Sequence, residues 1–108
     1  MKRIFFLLVW LFAATTEAGE IFGAITEEGT SVGAGVGVEI VAPSKTYMVQ
    51  TNEEGSYRVH VKEAGKCTLT VRYHGTAPTI EVTSQEERSV RYDLLLVKEK
   101  NTYSLQRK

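Results

Sequence analysis

The stretch that most limits what this chain can fold into runs from Gln50 to Val61, Q-T-N-E-E-G-S-Y-R-V-H-V. Its second half alternates strictly, with Tyr57, Val59 and Val61 on one side and Ser56, Arg58, His60 and Lys62 on the other. An extended backbone sends successive side chains to opposite faces, so this pattern predicts a strand with one buried and one wet face. The first half predicts a tight reversal. Asn52 can bond back to its own backbone, and Gly55 can take a positive φ without a Cβ clash. Tyr47–Val61 therefore reads as a hairpin.

The N-terminus has a different character. Lys2 and Arg3 precede an unbroken apolar run of 11 residues, Ile4 to Ala14. A membrane span needs roughly 20 apolar residues, so a basic start with so short a run reads as an export signal. Residues 1–18 are assigned to that signal, with cleavage expected after Ala18, and no stable membrane insertion is expected once it is removed. Setting aside Lys2, Arg3 and Glu17 leaves 11 basic and 12 acidic residues. That balance does not supply the basic surplus of a nucleic-acid binder. Cys67 is the single cysteine, so no disulfide can form within the chain.

From Gly19 onward the period stays near two. Ile21 and Ile25 share a face with Gly23 between them, and a strand glycine marks a bulge or a close backbone approach. Glu27-Glu28-Gly29 reads as a turn, and Thr30–Gly37 as a glycine-rich approach to a strand. It lacks the lysine and the following helix of a phosphate-binding loop. Val36, Val38 and Ile40 form the next inner face, which Pro43 ends. Further inner rows are Tyr47 and Val49; Cys67, Leu69, Val71 and Tyr73; Ile80 and Val82; and Val90, Tyr92, Leu94 and Leu96. Seven short strands with glycine-bearing turns predict an all-β fold, a seven-stranded antiparallel Greek-key sandwich over 19–97. Residues 98–108 read as a short charged tail that frays or slightly extends the last strand.

In order, the motifs resemble the carboxypeptidase-regulatory-like domain family, whose sandwich is transthyretin-like or prealbumin-like and broadly immunoglobulin-like. Gly19-Glu20-Ile21-Phe22-Gly23-Ala24-Ile25 matches its opening, and Val36-Gly37-Val38-Glu39-Ile40 its next strand. Thr51-Asn52-Glu53-Glu54-Gly55-Ser56-Tyr57 matches its strongest mark. Ala64-Gly65-Lys66-Cys67-Thr68-Leu69-Thr70-Val71 follows, and then Gly75. Cys67 stands where the family usually has an aromatic residue, and the Glu27-Glu28-Gly29 turn is about one residue short. The resemblance implies a fold and a habit of export, but no single activity.

The residues able to do chemistry do not converge by pattern. His60 falls on an outer face and His74 in a turn, and neither lies in a zinc-binding motif. Cys67 sits on the apolar face opposite His60, which reads as a small buried hydrophobe. Asp93 is placed outward, and Glu27-Glu28, Glu53-Glu54 and Glu86-Glu87 lie in turns. Asn52, Glu53 and Glu54 lack the alternating oxygens of a calcium loop. The nearest late asparagine, Asn101, lies beyond the closing strand, and the first strand has no lysine with which to form an isopeptide bond. The expectation is no enzyme, with no catalytic, cofactor-binding or metal site. The chain is expected to be a secreted or periplasmic module that binds another exported or cell-surface protein or serves a structural accessory role. A carbohydrate or small-molecule ligand, held by Tyr47, Tyr73 or Tyr103, is the alternative.

Overall fold

The computed structural model describes residues 19–85 and 87–108, so the signal assigned to residues 1–18 and the Glu86 half of one acidic pair lie outside the described residues. Among the described residues all regular structure is β, in ten strands: β1 (Gly19–Glu27), β2 (Thr30–Ser31), β3 (Gly37–Val41), β4 (Thr46–Gln50), β5 (Ser56–Val61), β6 (Gly65–Arg72), β7 (Thr79–Ser84), β8 (Ser89–Arg91), β9 (Leu94–Glu99) and β10 (Thr102–Arg107). They form two antiparallel-rich sheets packed as a sandwich. One sheet runs β4-β3-β6-β7. The other is built around β1, with β5 and β2 along one side, β8 and β9 along the other, and β10 outside β9.

The period-two rows meet between the sheets. Ile21, Ile25, Val38, Ile40, Val61, Leu69, Val71 and Leu94 are fully enclosed, joined by Tyr57, Val59, Cys67, Val82, Tyr92, Leu96 and Leu105. Tyr47, Val49, Tyr73, Ile80 and Val90, also expected inward, pack on this core but stay half-buried because they lie at its margins.

Three expectations change. The two halves of Tyr47–Val61 do not form a hairpin: β4 pairs with β3 and β5 pairs with β1, in different sheets. The turn forms as predicted, with Asn52 Oδ1 accepting the Glu54 and Ser56 N–H groups at 3.0 Å each and Gly55 at φ 75°. Bonds from either side of the turn pull the strands apart. Thr51 donates its hydroxyl to the Gly33 carbonyl at 2.6 Å and accepts the Val36 N–H at 3.0 Å, while the Gly55 carbonyl accepts the Ile25 N–H at 2.9 Å.

Second, the closing segment runs parallel to β1, because the chain crosses through the other sheet before returning. Third, residues 98–108 are not a frayed tail. Most of them turn back as β10, whose Leu105 pairs with Leu96 and completes the core.

The glycine within β1 marks a close approach, as its position suggested. A Cβ on Gly23 would lie 2.0 Å from the Tyr92 carbonyl oxygen. Between β8 and β9 the ladder opens there: Tyr92 N–H donates to the Phe22 carbonyl at 2.8 Å, and Ala24 N–H donates to Asp93 Oδ1 at 3.0 Å. The Tyr92 carbonyl, left without a strand donor, accepts the buried Tyr57 hydroxyl at 2.6 Å.

Tyr57→Phe leaves that buried carbonyl without its donor and should lower unfolding free energy by about 1–3 kcal/mol in urea titrations. Gly23→Ala should cost more than about 4 kcal/mol, because the new methyl meets backbone rather than a movable side chain. Unchanged midpoints for both variants would show that this junction does not hold the sheet.

Candidate functional site

A sandwich that is not closed into a barrel has sheet edges, and here they are not alike. On β7, Pro78 precedes the strand, Glu81 faces water, and Thr83 N–H is taken by the Tyr92 hydroxyl at 2.9 Å. Along β5 the exposed side chains are Arg58 and His60, and the next N–H, that of Lys62, donates to the Tyr47 hydroxyl at 3.1 Å. Charge, proline and capped donors are ways of making an edge unattractive to another strand.

β4 lacks those defences. Its ladder with β3 is bracketed by Ala42 N–H to the Lys45 carbonyl at 2.8 Å and Thr51 N–H to the Val36 carbonyl at 3.0 Å. Antiparallel pairing alternates, so Tyr47 and Val49 bond to β3, while Thr46, Met48 and Gln50 turn their N–H and C=O groups outward. All three are uncharged, and among the described residues no strand pairs with that side. Pro43 and Lys45, which could blunt an edge, lie in the preceding turn, outside β4.

Beside the edge runs a trough of about 620 Å³ lined by Gly35, Gly37, Met48, Val49, Gln50 and Arg72. It exists because Gly37 stands between Gln50 and Arg72 across the ladder and contributes no side chain. Met48, 64% exposed, forms one bank, and Arg72, paired with Glu39 at 3.1 Å, forms the other. Sequence reasoning passed over Met48. The signal was present, since an apolar residue in the outward phase of an alternating strand is unpaid for by the core.

The residues weighed for chemistry are dispersed. His60 lies on the outer face of the β1 sheet, with Nε2 3.5 Å from Glu20, which also accepts bonds from Arg58 and Ser89. The Arg58 hydrogen bond holds the Glu20 carboxyl below its ordinary value. Cys67 is buried, and burial, helped by Glu63, pushes its thiol up, away from the reactive thiolate. Asp93 is not simply outward: it is half-buried, accepting Ala24 N–H and pairing with Arg91 at 2.8 Å. The Tyr47 hydroxyl serves Lys62, as above. His74 does occupy a turn, at φ 50°, with its ring stacked on Tyr73 and Tyr103 close by. No group of three His, Cys, Asp or Glu side chains converges among the described residues. Nor is any helix among them long and apolar enough to cross a membrane.

No protein-family model and no curated protein sequence matches the chain. Solved structures do. 5-Hydroxyisourate hydrolase from Klebsiella pneumoniae superposes with a TM-score of 0.52 at 18% identity, covering 82% of this chain and 98% of the hydrolase. A Bacteroides ovatus protein with an inferred cell-adhesion role superposes with a TM-score of 0.51 at 12% identity. That match covers 89% of this chain and 47% of the other, so the chain spans about half of its length. At such identities the likeness shows the fold, a transthyretin-like or prealbumin-like β-sandwich.

It also corrects one expectation. The exclusion of enzymes does not stand, because the same sandwich carries a hydrolase in Klebsiella pneumoniae. Catalytic groups are set on a fold by local substitutions, so lack of a familiar motif is no argument against chemistry here.

Asp93 yields a pH prediction. Burial pushes its carboxyl up, but the Ala24 N–H and the Arg91 guanidinium outweigh that and hold it below its ordinary 3.8. Its stabilising contribution is therefore complete above about pH 3.8 and is lost as pH falls through the lower folded value. Asp93→Asn should flatten the acid limb of stability against pH in urea titrations. An equally steep limb in the variant would show that other carboxyls carry it.

Proposed function

We propose that this chain is an exported β-sandwich interaction module, of the carboxypeptidase-regulatory-like kind, that binds another exported or cell-surface protein by accepting one of its strands along β4. The observation that carries the reading is the contrast among edges: β4 offers Thr46, Met48 and Gln50 with outward backbone groups and no charge, where β5 and β7 are charged or capped. A strand laid there would gain ladder bonds from the outward groups, while Met48 and the Gly37 trough would take alternate side chains and set specificity. The inferred adhesion role of the Bacteroides ovatus protein is in keeping with this use of the sandwich.

Export rests on the basic start and the Ile4–Ala14 run, and gives a secreted or periplasmic location with residues 1–18 removed and one domain from Gly19. The resemblance in Thr51–Tyr57 supports the family reading because its principal residues each bond or turn the chain in a distinct way. Thr51 ties the glycine-rich loop, Asn52 and Gly55 make the turn, and Tyr57 reaches Tyr92.

Met48→Pro removes an outward N–H without breaking the β3–β4 ladder, so the variant should fold. Affinity capture with the full chain from the exported fraction of its own cells should return a partner that Met48→Pro loses. Glu81→Pro, on the β7 edge, should keep it. If Met48→Pro retains every partner while circular dichroism shows a native sheet, strand addition at β4 is wrong.

A further inference from the structure

At one end of the sandwich the inward rows outrun the core. On β9 and β10 the buried Leu94, Leu96 and Leu105 give way to Lys98 and Tyr103, which are partners across the ladder. On β6 the row Leu69, Val71 continues to Tyr73, and the Tyr73–Thr76 turn brings His74 over the gap. The result is a cleft of about 240 Å³ between the sheets, lined by His74, Thr76, Lys98, Lys100, Asn101 and Tyr103.

Its walls are held in place. Tyr73 and His74 stack at 3.9 Å and 14°, and Tyr103 stands nearly perpendicular to both, at 5.2 and 6.1 Å, so the rings make a corner. The Tyr73 hydroxyl donates to Glu27 at 2.9 Å; burial and that bond push it up to about 12, so it stays a donor and occupies this carboxylate. Thr76 is anchored by its hydroxyl to the Tyr73 carbonyl at 2.7 Å. Lys98 and Lys100 form no ion pair among the described residues. His74 and Lys100 both sit at positive φ, 50° and 55°, where glycine would be more comfortable, and strain of this kind gathers at binding sites.

We infer that this cleft binds an acidic sugar unit, a pyranose carrying a carboxylate. Lys98 and Lys100 both line the cleft and neither is in an ion pair among the described residues, so they favour an anion there against the Glu27 and Glu28 carboxylates that act on Tyr103. The aromatic corner suits the C–H face of a pyranose ring, and Asn101 and Thr76 offer donors and acceptors for its hydroxyls. A bare carboxylate would use the lysines alone and a neutral sugar the rings alone. The site shares no residue with the β4 edge, so either assignment can fail without the other.

The test is titration of the isotopically labelled 108-residue chain with D-glucuronate, D-glucose and acetate, followed by amide NMR. D-Glucuronate should give saturable shifts at His74–Thr76 and Lys98–Tyr103, with glucose and acetate each at least about tenfold weaker, the size of one charge-assisted hydrogen bond. Lys98→Gln should weaken D-glucuronate about tenfold. His74→Gly should weaken it too; glycine fits the left-handed backbone but gives up the stack on Tyr73, so a urea midpoint on the same variant separates lost binding from unfolding. Absence of saturable shifts with D-glucuronate, equal binding of glucose or acetate, or unchanged affinity in both variants would overturn the assignment.

Discussion

The rest of the structure depends on one contact, the Tyr57 hydroxyl meeting the Tyr92 carbonyl over Gly23. β1 is the spine of its sheet, pairing in different parts with β2, β5, β8 and β9. Its middle can stand so close to the returning chain only because residue 23 has no side chain. The carbonyl displaced by that approach would be a costly orphan in a closed core. Tyr57 supplies the donor, and Asp93 accepts the Ala24 N–H that the carbonyl gave up. Glycine, tyrosine and aspartate from three separate segments thus close one defect. The continuous alignment of β8 and β9 along β1 follows from it.

Tyrosine hydroxyls recur in this role at the rim of the core. Tyr92 caps the Thr83 N–H of β7, Tyr47 caps the Lys62 N–H beyond β5, and Tyr73 holds Glu27 at the end of the sandwich. Each ring packs on apolar neighbours while its polar tip satisfies a marginal group, a division of labour that phenylalanine cannot perform. The edges differ as well: Tyr92 caps β7 and Arg58 and His60 charge β5, whereas the turn that parts β4 from β5 leaves β4 uncovered.

Much of this was legible from the residues. Period-two burial from Ile21 to Leu96 placed Tyr57, Val59, Cys67 and Leu69 inside, and the core contains them. Asn52 and Gly55 announced their turn, and Gly23 its close approach. The failures were about partners. A turn between two alternating segments is ordinarily a hairpin, and nothing local in Tyr47–Val61 says that Thr51 and Gly55 will bond elsewhere. Lys98–Lys108 looked like a tail because its charges hide the one residue, Leu105, that pairs with Leu96. The leaning against catalysis rested on missing motifs and gave way to a shared fold.

By itself the amino-acid order determined which side is buried on the strands whose alternation it announced, and where the Asn52–Gly55 turn falls, since both follow from side-chain alternation and from local backbone freedom. Only the tertiary structure decided which strands pair, that β1 meets the closing segment in parallel, which edge stays open, and that Tyr73, His74, Lys98 and Tyr103 line one end. Those outcomes come from bonds between residues distant in the chain, such as Tyr57 to Tyr92 and Thr51 to Gly33, whose geometry no short window of sequence contains.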